Sequence, residues 1–136
     1  MTDILATSQK LARLIEERAD TMEVPITLSI VDVHGNIVLK ERMPGAPLIS
    51  VEMSERKAYT SAAFGAATKD MTADAQPGGP LFGITAFAGG RFVAFGGGAP
   101  LLSGGVRVGG VGVSGGTTEQ DIKILESALD ALAKEL

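Results

Sequence analysis

Three segments of the chain space their apolar residues as amphipathic helices do. The first, with Thr7 or Ser8 as its cap, ends before Pro25, and the second covers Val51–Phe64. A shorter helical piece is predicted over Thr68–Ala75. The last helix has a stripe that recurs every three or four residues: Ile122, Leu125, Leu129, Leu132 and Leu136. Such spacing places these side chains on one helical face, which we expect to pack against a core.

Other segments alternate apolar and polar residues with the period of two that is typical of β-strands. Ile26–Val33 and Ile37–Met43 flank a His-Gly-Asn turn and predict one hairpin. Phe82–Ala88 and Arg91–Gly97 predict a second hairpin, followed by a loop over Ala99–Gly105. With one more strand near the C-terminus, the pattern predicts a single α+β domain over the whole chain, residues 1–136. Its sheet would be five-stranded and mainly antiparallel, with flanking helices.

The fifth predicted strand, Val106–Ser114, has almost no side chains on one of its faces. Gly110 and Gly112 alternate there with valines. A glycine face on a strand indicates either close packing of backbone or space left for a ligand. Thr117 and Gln120 follow with the spacing of a capping box, which predicts that the last helix starts here.

Composition narrows the class of protein. The 136 residues carry a formal net charge of −4, which argues against a nucleic-acid-binding surface. The sequence contains no cysteine, so disulfides, thiolate metal sites and cysteine nucleophiles are excluded. No apolar run is long enough to span a bilayer, and the N-terminal segment lacks the apolar core of a signal peptide. We therefore expect a cytoplasmic protein that binds neither nucleic acid nor membranes.

Three separated motifs resemble a known family. Arg42–Phe64, Phe95–Leu102 and Val108–Asp121 are similar, in this order, to segments of GlcG/HbpS-type proteins. That family includes haem-binding sensors and the C-terminal domain of propanediol-utilisation-type cobalamin adenosyltransferases. The resemblance implies a profilin-like α/β/α domain with five antiparallel strands, assembly into homo-oligomers, and haem binding as in several members. Pro44 departs from the family pattern, which has an acidic residue after the Arg-Met pair.

Two side chains are the main candidates for chemistry. His34, the only histidine, is a possible axial ligand of haem iron, with Asp32 to orient it; alternatively it is an exposed turn residue. Lys57 lies at the family's Lys-Ala position, where its ammonium could pair with a ligand carboxylate or act as an acid or base. Alternatively it is a surface lysine that pairs with Glu55, Asp70 or a partner chain. The other candidate iron ligands are Met43, Met53, Tyr59, a hydroxyl group, or a residue of a neighbouring subunit.

A pocket next to this lysine is predicted from the glycine-rich motifs. It would be formed by the Met43–Pro47 turn, the helix that carries Lys57, and two glycine loops whose backbone amides would contact the ligand. The predicted ligand-binding residues are Met43, Lys57, Gly97, Gly98, Pro100, Gly115, Gly116 and Glu119.

Two functions are consistent with these features. The first is a small-ligand or cofactor-binding protein, with haem or a related tetrapyrrole as the favoured ligand, serving as an accessory protein of a catabolic pathway. The second is a cofactor-free lyase or isomerase that acts on a small carboxylate metabolite, with Lys57 as the catalytic residue.

Overall fold

The computed structural model describes residues 3–135, in which helices pack on both faces of one antiparallel sheet. Leu136, predicted as the end of the last apolar stripe, lies outside the described residues. The regular elements are α1 (Ile4–Met22), β1 (Thr27–Asp32), β2 (Ile37–Arg42), α2 (Leu48–Phe64), β3 (Gly98–Ser103), β4 (Val106–Ser114) and α3 (Thr118–Lys134). A short 3-10 turn lies at Thr68–Met71, and Ile84–Gly90 contains 3-10 turns interrupted by non-helical backbone at Phe87, Ala88 and Gly89.

The sheet has the strand order β2-β1-β4-β3, and each neighbouring pair is antiparallel. In the central strands, Thr27 lies opposite Ser114 and Ile30 opposite Val111. At the outer edge of β3, the amide of Gly98 donates to Thr68 Oγ1 at 2.9 Å instead of to another strand. The 3-10 turn that carries Thr68 therefore covers one end of this edge.

The prediction of five strands is wrong, because the described residues form a sheet of four. Phe82–Ala88 and Arg91–Gly97 do not pair as a hairpin; β3 instead begins at Gly98, within the segment predicted to be a loop. Left-handed backbone at Gly83, Ala88, Gly89 and Gly90 is incompatible with an extended ladder. Phe92 packs on α2, where its ring centroid lies 5.5 Å from that of Tyr59 and 5.4 Å from that of Phe64.

Helix boundaries agree with the sequence pattern more closely at α3 than at α1. The predicted capping box is confirmed: Gln120 N donates to Thr117 Oγ1 at 3.1 Å, and Thr117 N donates to Gln120 Oε1 at 2.8 Å. The cap of α1 is Asp3, whose carboxylate accepts from Ala6 N at 3.0 Å, so the prediction of Thr7 or Ser8 is wrong. The amides of the first helical turn have no partner within the helix. The carboxylate of Asp3 accepts from them better than a Thr or Ser hydroxyl would, because it carries a negative charge at the positive end of the helix. Within residues 3–135, the longest apolar stretch of any helix falls short of what crossing a bilayer requires.

One face of the sheet carries the hydrophobic core. Val111 and Val113 of β4, with Leu28 and Ile30 of β1, point to this face, where α1 and α3 cover them. Val31 of β1 points to the other face and packs with Ala58 and Ala62 of α2. The fully buried side chains include Leu11, Ile15, Ile26, Leu28, Ile30, Val111, Val113 and Ile124. Burying each such side chain contributes about 1.5–3 kcal/mol.

The opposite face is built from glycine, serine and threonine beneath α2. A Cβ on Gly110 would clash with the carbonyl oxygen of Ala58, and one on Gly112 with that of Ser54. Hydroxyl pairs join the layers: Ser29 to Ser54, and Thr27 to Ser50, each at 2.8 Å. The helix backbone thus lies directly on the strand, and close packing is the correct interpretation of the glycine face. The hollow expected over these glycines is absent from the described structure, because α2 fills it.

Candidate functional site

Lys57, the main candidate from the sequence, lies inside the protein, so the alternative of a surface lysine paired with Glu55 or Asp70 is wrong. Its side chain is 1% exposed, and Nζ donates to Val113 O at 2.8 Å and to Asp121 Oδ2 at 3.1 Å. The Phe95 ring centroid lies 5.4 Å from Nζ. Asp121 Oδ1 also accepts from Gly116 N at 2.9 Å. The ion pair therefore connects α2, the end of β4 and the start of α3.

Burial acts on both members of this ion pair. It lowers the pKa of Lys57 and raises the pKa of Asp121, while the attraction between the two charges opposes both shifts. Removing two charges from water is costly, so each group depends on the other and on its hydrogen bonds. In this conformation the ammonium has no access to a ligand carboxylate.

The other residues predicted to line a pocket are placed in different surroundings. Gly97 and Gly98 border a cavity of about 20 Å³, too small for more than a water molecule. A Cβ on Gly97 would lie 2.6 Å from Lys57 Nζ. Gly115 packs on Ile26, and Gly116 packs on Gln120 and Val24.

The remaining predicted residues are dispersed. Met43 packs at the margin of the hydrophobic core and its amide donates to Ile26 O. Pro100 lies in β3 opposite Gly110, and Glu119 is exposed in the first turn of α3. The structure does not bring these residues and Lys57 together around one cavity. Their role in ligand binding stays a prediction.

His34 is an exposed residue of the β1–β2 turn. Asp32 Oδ1 accepts from His34 N at 2.9 Å and from Asn36 N at 3.0 Å, so Asp32 closes the turn. These amides, Asn36 foremost, lower the pKa of Asp32. The turn role inferred from the sequence is therefore confirmed. Ligation of iron by His34 stays a prediction, with the imidazole in a position accessible to solvent.

A groove lies on the outer side of α2. Its volume is about 240 Å³, and it lies between the β1–β2 turn and the loop that precedes Phe92. A smaller hollow of about 90 Å³, which His34 lines, adjoins it across Tyr59. The residues that line the groove are Gly35, Glu52, Glu55, Arg56, Tyr59 and Arg91.

Tyr59 stands between the two hollows on a rigid helix. Its ring packs on Gly35, where an added Cβ would lie 2.8 Å from Cε2. Phe92 contacts the ring on another side, and the guanidinium carbon of Arg91 lies 5.0 Å from the ring centroid. Gly35 has a φ of +84°, so glycine suits the turn conformation and the close approach alike. The aromatic ring is therefore held in place from three directions.

The charges around the groove are mostly paired. Arg56 Nε donates to Glu52 Oε2 at 2.7 Å, and Arg56 Nη1 donates to the carbonyl of Gly90. Lys40 donates to Glu55 at 2.8 Å. Arg91 is exposed and, among the residues described, has no ion-pair partner. One cationic group thus remains available to an anionic ligand.

Another hollow, of about 140 Å³, lies between the β3–β4 turn and the ends of α1 and α3. It is lined by Ile4, Thr7, Leu101, Leu102, Ser103, Gly104, Val108 and Leu132, none of which is charged. The groove at Tyr59 combines a larger volume with a phenol, guanidinium groups and an adjacent imidazole. It is the better candidate for a site that binds a polar or metal-containing ligand.

Sequence reasoning missed most of this groove. Glu52, Arg56, Tyr59 and Ala63 lie at helical spacing on one face of α2, and this spacing could have identified an outer polar face. Arg91 could not be found this way, because the loop that carries it was assigned to a strand. The turn next to His34 was identified, but not its contact with Tyr59.

Comparison with protein families gives one match over nearly the whole chain. Residues 5–130 match the family described as "Haem degrading protein HbpS-like". The chain is 42% identical over 123 residues to the corrinoid adenosyltransferase PduO of Salmonella typhimurium. This alignment covers 90% of the chain but only 37% of PduO, so the chain spans well under half of that relative.

Two further relatives are similar over most of their own length. A 15.0 kDa protein from the dhaT–dhaS intergenic region of Citrobacter freundii is 41% identical over 133 residues, covering 98% of the chain and 94% of that protein. The crystal structure of a PduOC–haem complex superimposes with a TM-score of 0.91 and 39% identity. It covers 96% of this chain and 94% of that one, so the two share the whole fold.

Proposed function

Because the chain belongs to the haem degrading HbpS-like family, we propose that it binds haem or a related tetrapyrrole. A similar structure with 39% identity was solved as a haem complex, which supports this ligand. The role we propose is that of an accessory protein of a catabolic pathway.

The observation that carries the proposal is the groove at Tyr59. At about 240 Å³ it lies slightly below the range of about 300–1,000 Å³ typical of small-molecule pockets. Together with the adjoining hollow it would hold part of a macrocycle, the rest remaining open to solvent or to a neighbouring subunit. The Tyr59 ring and the cationic Arg91 suit a flat ligand that bears carboxylates. The two glutamates of the lining, Glu52 and Glu55, are paired with Arg56 and Lys40.

The donors around the groove fit a haem group. Imidazole and phenolate are both known haem ligands, and His34 and Tyr59 border the same hollow. When bound, haem would supply an iron centre for ligand or electron exchange. His34 is accessible on its turn, whereas Tyr59 is held by its neighbours on α2. We propose that one of these two side chains contacts the iron.

Direct contact between the ligand and the residues predicted from the sequence is a competing proposal. Lys57, Met43 and the two glycine loops would then surround the ligand, and the Lys57–Asp121 ion pair would have to open. The lyase or isomerase hypothesis has the same requirement, since a substrate must reach Nζ of a side chain that is 1% exposed. The groove requires no such rearrangement.

Titration with hemin tests the proposal. We expect saturable binding with a shifted Soret band for the unmodified chain. Tyr59→Phe removes a single oxygen and His34→Ala removes the imidazole; one of the two should change the Soret spectrum and weaken binding about tenfold or more. Lys123→Ala, an exposed residue of α3 outside the groove, is the control and should bind hemin normally.

Two results would contradict this site. Weak binding that never saturates would reject haem as the ligand. Normal binding and an unchanged spectrum in both variants would move the site away from the groove.

We also propose that the protein forms a homo-oligomer. Leu48 and Ile49 at the start of α2 are 87% and 65% exposed, and Leu102 and Val106 on the β3–β4 hairpin are 60% and 65% exposed. Exposed large apolar side chains such as these favour association. Light scattering at micromolar concentration should give a multiple of the 14.0 kDa chain mass, and a monomer mass would contradict the proposal.

A further inference from the structure

The two arginines of the groove, Arg56 and Arg91, differ in their hydrogen-bond partners. Arg56 is held by two neighbours, because its Nε donates to Glu52 and its Nη1 donates to the carbonyl of Gly90. Arg91 stacks over the Tyr59 ring, with 5.0 Å between the guanidinium carbon and the ring centroid. In the described part of the chain it has neither an ion-pair nor a hydrogen-bond partner, although it is exposed at the rim.

The position of Arg91 is set by its neighbours. Gly89 and Gly90 have φ values of +70° and +81°, so the loop turns sharply just before Arg91. The bond from Arg56 to Gly90 anchors this turn to α2. The guanidinium lies over the Tyr59 ring, and among the described residues its N–H donors have no ion-pair partner. A guanidinium carries a fork of N–H donors that matches a carboxylate.

The anionic side chains of the groove do not cancel this charge. Glu52 is paired with Arg56 and Glu55 with Lys40. Among the described residues that line the groove, Arg91 is therefore the cation that has no ion-pair partner and can pair with the carboxylate of a ligand. Sequence reasoning gave this role to Lys57, but Lys57 is already paired with Asp121 inside the protein.

We propose that Arg91 is the specificity-determining residue of the groove and selects ligands that carry a free carboxylate. The assignment rests on the proposed function, in which the groove binds a tetrapyrrole. Arg56 is the positioning residue that holds the loop, and Arg91 makes the contact with the ligand. Among tetrapyrroles, those with free propionates are bound in preference to their esters.

Paired titrations with hemin and hemin dimethyl ester test this assignment. The ester keeps the macrocycle and the iron but has no free carboxylate. The unmodified chain should bind hemin about three- to tenfold more tightly than the ester, as expected for one charge-assisted pair at a partly hydrated site. Arg91→Ala should abolish this preference by weakening hemin binding alone. Arg91→Lys should retain part of it, because it keeps the charge but not the planar fork.

Ester binding by Arg91→Ala serves as an internal check that the groove is intact. Arg13→Ala, an exposed arginine of α1 on the other face of the sheet, is the matched control for net charge and should keep the full preference. If the unmodified chain shows no saturable binding of hemin, both the proposed function and the assignment are overturned. If hemin binds but Arg91→Ala keeps the preference, or Arg13→Ala loses it equally, only the role of Arg91 is overturned.

Discussion

The two faces of the sheet hold their helices by different physical means. On one face Val111 and Val113 meet the apolar stripes of α1 and α3; on the other, Gly110 and Gly112 lie against the backbone of α2. These four residues alternate along a single strand, so the difference follows from the period of two. The first interface is stabilised by burial of apolar area. The second depends on close approach, which allows hydroxyl pairs and one buried ion pair to form beneath α2.

The comparison shows that a glycine-rich strand need not mark a ligand cavity. Glycines remove side chains from the strand, and a helix with small residues takes up the space. The candidate site lies instead on the outer side of that helix, where Tyr59 and Arg56 face solvent. The packing of α2 on the glycines therefore fixes the position of the helix, while the candidate site is formed by residues on the outer side of that helix.

Substitutions on the two faces of β4 should give the largest contrast. Gly112→Ala forces a methyl group into the backbone of α2, and we expect it to cost about 4 kcal/mol or more of unfolding free energy. Val113→Ala leaves a small cavity in the core and should cost about 2 kcal/mol. Urea denaturation followed by circular dichroism measures both. A smaller loss for Gly112→Ala than for Val113→Ala would contradict the account of the two faces.

Breaking the buried ion pair should give the next largest effect. Lys57→Met leaves the Asp121 carboxylate buried without its cation, at a cost of about 3 kcal/mol. The double variant Lys57→Met with Asp121→Asn should recover part of this loss, because Asn keeps an acceptor for Gly116 N. The same denaturation experiment measures it.

Hemin titration of the Lys57 variants distinguishes the competing site. If the pair is structural, the double variant binds hemin as the unmodified chain does. Loss of hemin binding by this variant, with normal binding by the groove variants, would favour direct ligand contact by Lys57.

A pair of like charges at the edge of the hydrophobic face should give the smallest effect. Burial, followed by the hydrogen bond and charge of Glu41, raises the pKa of Glu16 from 4.5 to about 7. The folded state then holds a proton that the unfolded state releases, so stability falls as pH rises from about 4.5 to 7. Because the pair is largely hydrated, we expect a loss of about 1 kcal/mol.

Glu16→Gln should flatten this decline and stabilise the protein above pH 7, as measured by urea denaturation across this pH range. Glu17→Gln, its exposed neighbour, is the control and should leave the slope unchanged. If the unfolding free energy of Glu16→Gln still declines with pH to the same extent, the decline is caused by other groups.

The helices and the first hairpin could be predicted because their signals are local. Apolar stripes, the Thr117 capping box and the His-Gly-Asn turn each depend on a few neighbouring residues. The prediction of a second hairpin is wrong because the conformation of this segment depends on contacts with distant parts of the chain. Phe87 and Phe92 look like strand residues in the sequence, yet they stack on each other at 6.2 Å beside α2. Tertiary packing decided their conformation.

The candidate site was less predictable, because its residues come from distant parts of the chain. Lys57 was identified as unusual from its motif, but its partner Asp121 is 64 residues away and could not be assigned. The groove joins the turn at Gly35, one face of α2 and the loop at Arg91. Only the fold brings them together. His34 and Tyr59 were recognised singly as possible iron ligands, without the knowledge that they share a hollow.

The edge of β3 has a consequence for how copies of this protein meet. Gly98 gives its outward amide to Thr68, and Pro100, two residues on along the same side, has no amide hydrogen. An additional strand laid along this edge would find two successive donor positions closed to it. Growth of the sheet into fibres through the β3 edge is thereby disfavoured.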